Sequence, residues 1–364
     1  MNIIIFGGSF DPIHIGHTKI AERAALEYQA TVYFVPSPIG VWKNESVSKE
    51  DKLNMLKLAI NGHDNFKIDE FELNSGKDTN YSVDTVRYFA KKFPNDKLFF
   101  LMGGDQANHF DMWQECDELA KLAQIIFYPR ENIHVNADNI KRFNMIELRG
   151  SLFEYASSDI RNLNNLALDD KVLDYILSHE LYFVKRIKSL YNDERLYNHG
   201  VSVGKLCLKI VEANKIDLSS IKDAFFVAGY LHDIGKRASE ERYKEIMTNY
   251  YPEFMDIPKV IQHQFIGATI AEEELGIQDP IILDAIKYHT TGRGEMTILD
   301  KVVYAADKID PLRGYDSTEL INAMLNDIDS GFVTVLKANV EFITGKGKLM
   351  NDILTDQCLK TYLK

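Results

Sequence analysis

The pattern of apolar residues changes near the middle of the chain, and this change restricts the fold more than any other feature. In the first half, short apolar runs such as 2–6 and 97–102 end at glycine pairs and alternate with segments of helical periodicity. This alternation predicts a parallel sheet with helices on both faces, in which ligands bind beyond the carboxyl ends of the strands. After residue 170 the periodicity is helical, which predicts an all-α second domain.

The boundary between the two expected domains lies in the polar stretch 186–194. We therefore expect an α/β domain over residues 1–187 and an all-α domain over residues 188–364, a division that fits the usual domain size of about 100–200 residues. The expected strands are 2–6, 31–35, 97–102 and 124–128. The expected helices are 17–29, 50–61, 171–186, 198–213, 220–232, 256–275, 280–290, 297–309 and 317–342.

The composition argues against several classes of protein. A formal charge of −12 lacks the positive field that non-specific binding to nucleic acid requires. Cys116, Cys207 and Cys358 are widely spaced and odd in number, so they predict neither a zinc motif nor a disulfide framework. The chain starts without a basic leader, and no apolar run approaches the roughly 18 residues of a membrane span. We expect a cytoplasmic protein that binds neither membranes nor nucleic acid; a homo-oligomer is compatible with the sequence.

A glycine-rich string, GGSFDPIHIGH, follows the first expected strand. Gly7 and Gly8 allow a ligand to approach the backbone closely, and His14 and His17 lie three residues apart at an expected helix start. The free amides of a helix start favour a phosphate, and two imidazoles beside them would stabilise charge on a transferring phosphoryl group. A glycine turn followed by two helix-capping histidines is the alternative explanation.

A second set of polar residues recurs on the expected helices of the second half. It consists of His199, His232, Asp233, His263, His289 and Asp307. An imidazole or carboxylate on an otherwise apolar helix is costly to bury unless it is paired or bound to a metal. One such residue alone is usually a core residue whose polar atoms are hydrogen-bonded within the protein. Six of them in order on five expected helices predict a metal site.

The first string resembles the signature of the nucleotidylyltransferase superfamily, whose members have Rossmann-like folds. Over residues 1–187 the chain is similar to bacterial nicotinate-nucleotide adenylyltransferases. The segments that carry the similarity are 80–85 (the YTxDT loop), 103–105 with Trp113 (GxD…W), Arg130, 157–161 (ISSTxIR) and the helix 172–182. The resemblance implies transfer of AMP from ATP to nicotinate mononucleotide with release of pyrophosphate, and Mg²⁺ carried on the ATP phosphates.

This resemblance also implies roles for individual residues. The catalytic residues would be His14, His17, Lys43 and Arg161. The nucleotide-binding residues would be Gly7, Gly8, Ser9, Phe10, Thr85, Gly104, Asp105, Trp113, Arg130, Ser157 and Ser158. Ser157 and Ser158 fit a helix N-cap that holds an anion, and Trp113 would stack on a pyridine ring unless it packs in the core.

The sequence departs from this family at three places. Residues 39–43 replace the family's PPHK with an altered loop in which Lys43 retains a positive charge. Lys52 stands where an arginine is usual, and Asp159 replaces the threonine of ISSTxIR. These differences leave the choice between nicotinate and nicotinamide mononucleotide open.

The histidine–aspartate set resembles the ligands of HD-domain metal phosphohydrolases, over residues 190–364. Among these, the chain is similar to the bacterial family that cleaves diadenosine tetraphosphate symmetrically into two ADP. The resemblance implies two transition-metal ions, commonly iron: one on His199, His232, Asp233 and Asp307, and one on His263 and His289, with Asp233 bridging. Asp233 and Lys236 would be catalytic, and Lys236, Arg293 and Arg313 would bind the remaining phosphates. Gly200 stands where the family usually has Ser or Thr.

Three alternatives remain open from the sequence. In the first alternative, the first domain transfers AMP to another acceptor, as pantetheine-phosphate adenylyltransferase does, although Trp113 and the 81–85 loop argue against this. The second domain would be a different nucleotide phosphohydrolase, although the complete six-ligand set disfavours a single-metal enzyme. As a third alternative, the second domain would be a metal-stabilised regulatory module that senses nucleotides.

Overall fold

The computed structural model describes residues 1–38, 47–77, 79–130, 133–150, 155–216, 222–347 and 352–363. The chain divides into two compact units, Met1–Tyr182 and Phe183–Lys364. The division expected between residues 187 and 188 falls inside the helix Phe183–Tyr191, which belongs to the second unit. None of the helices in the described ranges combines the length and apolar character that a membrane span requires.

The first unit contains a parallel sheet, as the alternating pattern predicted. Its strands, among the described residues, are β1 (Asn2–Gly8), β2 (Ala30–Pro36), β3 (Phe66–Ile68), β4 (Lys97–Gly103), β5 (Gln124–Tyr128) and β6 (Ile146–Glu147). They are arranged in the order β3-β2-β1-β4-β5-β6. β1 is flanked by β2 and β4, and the chain winds away from it in both directions. The carboxyl ends of β1 and β4 therefore form the switch point at which such sheets bind ligands.

Helices cover this sheet. They are α1 (Ile15–Tyr28), α2 (Lys49–Ile60), α3 (Ser82–Lys92), α4 (Gly104–Asn108), α5 (Cys116–Leu122), α6 (Ala137–Arg142), α7 (Ser157–Arg161) and α8 (Asp170–Ser178). The central strands are buried on both faces; Ile4 and Ile5, for example, have no exposed surface. Continuous apolar runs are typical of such strands, which explains why the sequence identified them.

The second unit is helical in the described residues. Its helices are α9 (Phe183–Tyr191), α10 (Glu194–Ala213), α11 (Lys222–Leu231), α12 (Glu240–Tyr250), α13 (Lys259–Glu273), α14 (Pro280–Tyr288), α15 (Ile298–Ile309), α16 (Thr318–Asn326), α17 (Ile328–Gly345) and α18 (Ile353–Tyr362). A short 3-10 turn, Ile234–Arg237, follows α11. The predicted fold class, an α/β domain followed by an all-α domain, is confirmed.

Two expected helices are each divided into two, so these predictions were wrong. The segment 171–186 is interrupted between α8 and α9, where Glu180 and Tyr182 have φ values of 52° and 54°. That left-handed conformation cannot continue a right-handed helix. The segment 317–342 is interrupted at Asp327, whose extended backbone and side chain cap the start of α17 by accepting a hydrogen bond from the Ser330 amide.

Gly200 permits the close packing of α10 against α11. A Cβ atom at this position would lie 2.6 Å from the Tyr230 carbonyl oxygen and 2.6 Å from the Tyr191 hydroxyl. Tyr191 is fully buried and its hydroxyl donates a hydrogen bond to that same carbonyl. A Ser or Thr does not fit this backbone arrangement, which explains the departure from the family pattern at Gly200.

Candidate active sites

A cavity of about 370 Å³ lies at the carboxyl ends of β1, β4 and β5 in the first unit. The residues lining it that were expected from the sequence are Gly7, Gly8, Ser9, Phe10, His14, His17, Asp105, Arg130, Ser157 and Ser158. Phe6, Gln106, Tyr128, Tyr155 and Ala156 also line it. Tyr128 could have been predicted as a lining residue because it ends an expected strand. Tyr155 belongs to no motif that was recognised in the sequence.

The two histidines of the glycine-rich string form a stacked pair in this cavity. His14 is the N-cap of α1, and its ring stacks on that of His17 with 3.7 Å between centroids. Burial and the nearby Arg130 guanidinium lower the pKa of His14 to about 3, and burial holds the pKa of His17 well below its usual range. Both rings are therefore neutral near pH 7. The His17 Nδ1 accepts a hydrogen bond from the His14 amide (3.3 Å), so the ring proton of His17 lies on Nε2.

Arg130 supplies positive charge to the same cavity. Its Nη2 donates to the Tyr128 hydroxyl at 3.2 Å, and its Nε lies 3.3 Å from the Asp105 carboxylate. Asp105 therefore positions the guanidinium and partly neutralises it. Two neutral imidazoles and one guanidinium favour an anionic ligand at this place.

The helix α7 meets the cavity at its first turn. Ala156, rather than Ser157 or Ser158, is the N-cap, so the prediction of a serine cap was wrong; the two serines are the first helical residues. The Ser157 hydroxyl instead donates to the Pro12 carbonyl at 3.0 Å. Arg161 donates to the backbone carbonyl of Asp11 and does not line the cavity. These bonds hold the loop that precedes His14.

Several expected residues of the first unit lie elsewhere. The Thr85 hydroxyl donates to the buried carboxylate of Glu72 at 2.6 Å. Trp113 packs against the apolar core, with its ring 5.4 Å from that of Phe110, which corresponds to the core-packing alternative. Gly104 begins α4, and a Cβ there would lie 3.3 Å from the Tyr128 carbonyl oxygen. Lys43, which was predicted to be catalytic, and the rest of the altered loop 39–43 lie outside the described residues.

In the second unit, the structure brings all six expected metal ligands together. Their donor atoms form two groups, each within 4.8 Å: His199, His232, Asp233 and Asp307, and Asp233, His263 and His289. The Asp233 carboxylate belongs to both groups. Its Oδ2 lies 3.4 Å from His232 Nε2, whereas its Oδ1 lies 3.3 Å from His263 Nε2 and 3.4 Å from His289 Nε2.

Hydrogen bonds at the opposite ring nitrogens orient the histidines. The Nδ1 atoms of His232, His263 and His289 lie 2.7–2.8 Å from the carbonyl oxygens three residues earlier. Because a carbonyl only accepts, each Nδ1 carries a proton, so the neutral form of each ring presents its lone pair at Nε2. A metal ligand requires this arrangement.

Charge and burial in this cluster also fit a cation. His232 Nε2 and Asp233 Oδ1 are buried and, among the described residues, have no hydrogen-bond partner. Burial lowers the pKa of His232, but Asp233 and Asp307 outweigh it and raise that pKa to about 9. Burial lowers the pKa of His289 to about 3. Two buried carboxylates facing four imidazoles form a ligand set suited to divalent transition metals.

Three cations surround the cluster. Lys236 donates to Asp233 Oδ2, and Lys308 Nζ donates to Asp307 Oδ2 at 2.8 Å. Arg313 donates to both the carboxylate and the backbone carbonyl of Asp307. Lys236 and Arg313, together with His199 and Asp233, line an open cavity of about 800 Å³. This cavity has the positive groups that a polyphosphate requires.

Arg293 does not join them. It pairs with Asp300 at 2.7 Å and Asp284 at 2.8 Å, and it does not line the cavity. The expected phosphate role of Arg293 is therefore not supported by its position.

Asp310 is the main residue that the sequence reasoning missed. It is fully buried, and its Oδ2 lies 2.5 Å from His199 Nδ1 while its Oδ1 accepts a hydrogen bond from Ser202. Asp310 thus orients His199 as the carbonyls orient the other three histidines. The string ADKIDP contained the signal, because Asp310 lies one helical turn after Asp307.

Two family models match the chain, one in each unit. A model described as cytidylyltransferase-like matches residues 5–163, and the HD domain model matches residues 196–312. The fold and the two sites therefore define a nucleotidyltransferase domain followed by an HD domain. The protein called probable nicotinate-nucleotide adenylyltransferase/Ap4A hydrolase from Mycoplasma genitalium is 33% identical over 350 residues, which cover 92% of this chain and 97% of that protein. The chain belongs to this family of fused proteins.

Two solved structures each resemble about half of the chain. Nicotinic acid mononucleotide adenylyltransferase from Plasmodium falciparum is 22% identical, with a TM-score of 0.42, and the match covers 50% of this chain and 98% of that one. A predicted HD superfamily hydrolase from Clostridium acetobutylicum is 25% identical, with a TM-score of 0.42, over 49% of this chain and 96% of that one. Membership of the HD family implies a bound divalent metal, and the histidine–aspartate cluster is suited to hold it.

Proposed function

We propose that the first unit transfers AMP from ATP to nicotinate mononucleotide. The 5′-phosphate oxygen of the mononucleotide attacks the α-phosphorus of ATP, the bond to the β-phosphate breaks, and pyrophosphate leaves. The observation that carries this proposal is the convergence of Gly7, Gly8, His14, His17 and Arg130 in one cavity at the switch point of the sheet.

His14 and His17 act in this reaction as neutral donors to the phosphates, and Arg130 stabilises the negative charge that develops in the transition state. The chain forms no covalent intermediate, because no nucleophile is needed when both substrates are held in line. Mg²⁺ enters with the ATP phosphates. Lys43 is a further candidate for phosphate contact, whereas Arg161 would act indirectly through its hydrogen bond to the Asp11 carbonyl.

The acceptor is tested with the purified full chain, ATP, and either nicotinate or nicotinamide mononucleotide. Formation of deamido-NAD with a clear preference for the nicotinate form supports the proposal. His14→Asn is expected to reduce kcat by about 100-fold or more, as for the loss of one donor to a transition-state charge, while KM for the mononucleotide changes little. Activity with a pantetheine phosphate alone would refute the proposed acceptor.

We propose that the second unit hydrolyses diadenosine tetraphosphate symmetrically to two ADP at a centre of two metal ions. The carboxylate of Asp233, shared between two ligand groups, is the observation that supports two ions rather than one. When bound, the metals supply an activated water and a positive clamp for the phosphates. Iron is the proposed metal on the family resemblance.

The residues of the chain have separate tasks in this reaction. Lys236 and Arg313 bind the phosphates that flank the cleaved bond, and their positions beside Asp233 and Asp307 bring those phosphates to the metal ligands. Water adds to one of the two central phosphorus atoms, and the central bridging oxygen leaves with the second ADP. Asp233, whose carboxylate belongs to both ligand groups, would contribute to holding each ion.

Product identification tests which phosphoanhydride bond is cleaved, and metal analysis tests how many ions the centre holds. Two ADP per substrate and two metal ions per chain support the proposal, whereas ATP plus AMP, or one ion per chain, contradicts it. Asp233→Ala separates an enzyme from a regulatory module. Loss of hydrolysis with unchanged adenylyl transfer indicates an enzyme; retained hydrolysis with altered adenylyl transfer indicates a sensor.

A further inference from the structure

A second cavity of the HD unit lies next to the basic cavity at the metal ligands. It has a volume of about 270 Å³ and lies between the end of α15 and one face of α17. Val335, Ala338 and Phe342 of α17 line it, together with Tyr315 and Leu320. Its walls are therefore mainly apolar and aromatic, in contrast to the basic cavity at the metal ligands.

Arg313 lies between the two cavities, since it lines both of them. The same guanidinium donates to the carboxylate of Asp307, one of the metal-ligand candidates. Lys308 also lines the second cavity, and its Nζ lies 2.8 Å from Asp307 Oδ2. A ligand with its phosphates beside Arg313 therefore has an apolar cavity within reach of its other end.

The lining suits a flat ring with a polar edge. Phe342 is 60% exposed and Tyr315 is 46% exposed, so two large aromatic side chains stand at the cavity with much of their surface in water. A bound planar ring would cover this surface by stacking. The side-chain amide of Asn339, also in the lining, donates to the Tyr304 hydroxyl at 3.0 Å and adds a polar group to the apolar wall.

We propose that this second cavity binds the nucleoside of a nucleoside polyphosphate whose phosphates lie at Arg313 and the metal ligands. The inference rests on the proposed hydrolase function, because it assumes that a phosphate chain occupies the basic cavity. It adds to that function a site that selects nucleotides over inorganic polyphosphates.

The test uses the metal-substituted full chain. Co²⁺ is loaded into the HD unit, and its visible absorption reports on ligands that reach this metal centre, so nucleotide bound to the first unit does not interfere. ADP and inorganic pyrophosphate are the two probes. We expect ADP to bind about tenfold more tightly than pyrophosphate, because only ADP places a ring in the second cavity.

Ala338→Phe fills the cavity, and Lys337→Phe places the same ring on the neighbouring exposed position of α17 as a matched control. Ala338→Phe is expected to remove the preference for ADP and to leave the Kd of pyrophosphate unchanged. Lys337→Phe is expected to leave the Kd of both ADP and pyrophosphate unchanged. Phe342→Ala truncates an exposed side chain, so it tests the cavity even if Ala338→Phe fails to fold. It is expected to weaken ADP binding by about threefold to tenfold.

Three results would overturn the inference. They are equal affinities of the wild-type chain for ADP and pyrophosphate, equal weakening of both probes in Ala338→Phe, and unchanged ADP binding in Phe342→Ala. If neither probe perturbs the Co²⁺ spectrum and diadenosine tetraphosphate is not cleaved, the proposed hydrolase function fails as well. Cleavage without a preference for ADP rejects the second cavity alone.

Discussion

The contact between Asp310 and His199 gives the sharpest prediction for the metal centre. Asp310 accepts two hydrogen bonds, one from His199 Nδ1 and one from Ser202, and it has no exposed surface. Asp310→Asn keeps the size of the side chain but replaces one acceptor oxygen with an NH₂ group. If that group faces His199 Nδ1, the ring proton moves to Nε2, the atom that a metal needs.

The magnitude follows from comparable contacts to metal-ligating histidines. Loss of such a partner weakens metal binding by about tenfold to 100-fold, which is about 1.4–2.8 kcal/mol. The effect should fall on the group that contains His199, whereas His263 and His289 keep their carbonyl partners. We therefore expect one weakened and one nearly unchanged ion in Asp310→Asn.

Competition of the metal-free protein with a chelating dye for Co²⁺ or Zn²⁺ measures both affinities. Asp329→Asn, which removes an exposed carboxylate paired with Lys301, is the matched control and should bind both ions like the wild type. Ser202→Ala removes one of the two bonds to Asp310 and should have a smaller effect than Asp310→Asn. Two unchanged affinities in Asp310→Asn would refute the orienting role of this carboxylate.

Three further predictions concern stability. Gly200→Ser introduces a Cβ 2.6 Å from the Tyr230 carbonyl oxygen and should destabilise the second unit by about 1–3 kcal/mol in denaturant unfolding, whereas Gly345→Ser, with nothing within 4 Å, should not. His14 has a folded pKa of about 3 against an ordinary 6.5, so its contribution to stability is complete above pH 6.5 and is lost as the pH falls toward 3. His14→Asn should therefore reduce the acid destabilisation of the first unit between pH 7.5 and pH 5 by about 2 kcal/mol, and an unchanged pH profile would contradict the burial of this ring. Removal of metal with a chelator should lower the melting temperature of the HD unit and leave that of the first unit unchanged, because the ligand clusters among the described residues, those of His232, Asp233 and their partners, lie in the HD unit. A shift of both transitions would argue against this assignment.

The sequence predicted those parts of the fold and sites that depend on local patterns. Buried parallel strands leave continuous apolar runs, so β1, β2, β4 and β5 were recognised, whereas β3 and β6, with three and two residues, are too short to produce a period. The metal cluster was predictable because its ligands are polar residues within, or directly after, otherwise apolar helices.

Residues with the same local appearance were harder to separate. Arg293 and Arg313 both follow helices near the cluster, yet one pairs with Asp284 and Asp300 and the other with Asp307. That difference depends on where α14 and α15 lie in space, which no local pattern contains. Asp310 was overlooked for a related reason: its partner His199 is more than 100 residues earlier in the chain.

The hydrogen bond from the Tyr182 hydroxyl to the Asp11 carboxylate, at 2.8 Å, has a practical consequence for dissecting the two halves. Tyr182 is the last residue of the first unit, and Asp11 stands in the loop that leads to His14. A truncated protein that ends before Tyr182 would keep every described strand of the sheet and still lose an anchor of the loop that leads to His14. When the two units are expressed separately, the first should therefore include Tyr182. Low activity of a shorter fragment would reflect the loss of this anchor rather than dependence on the second unit.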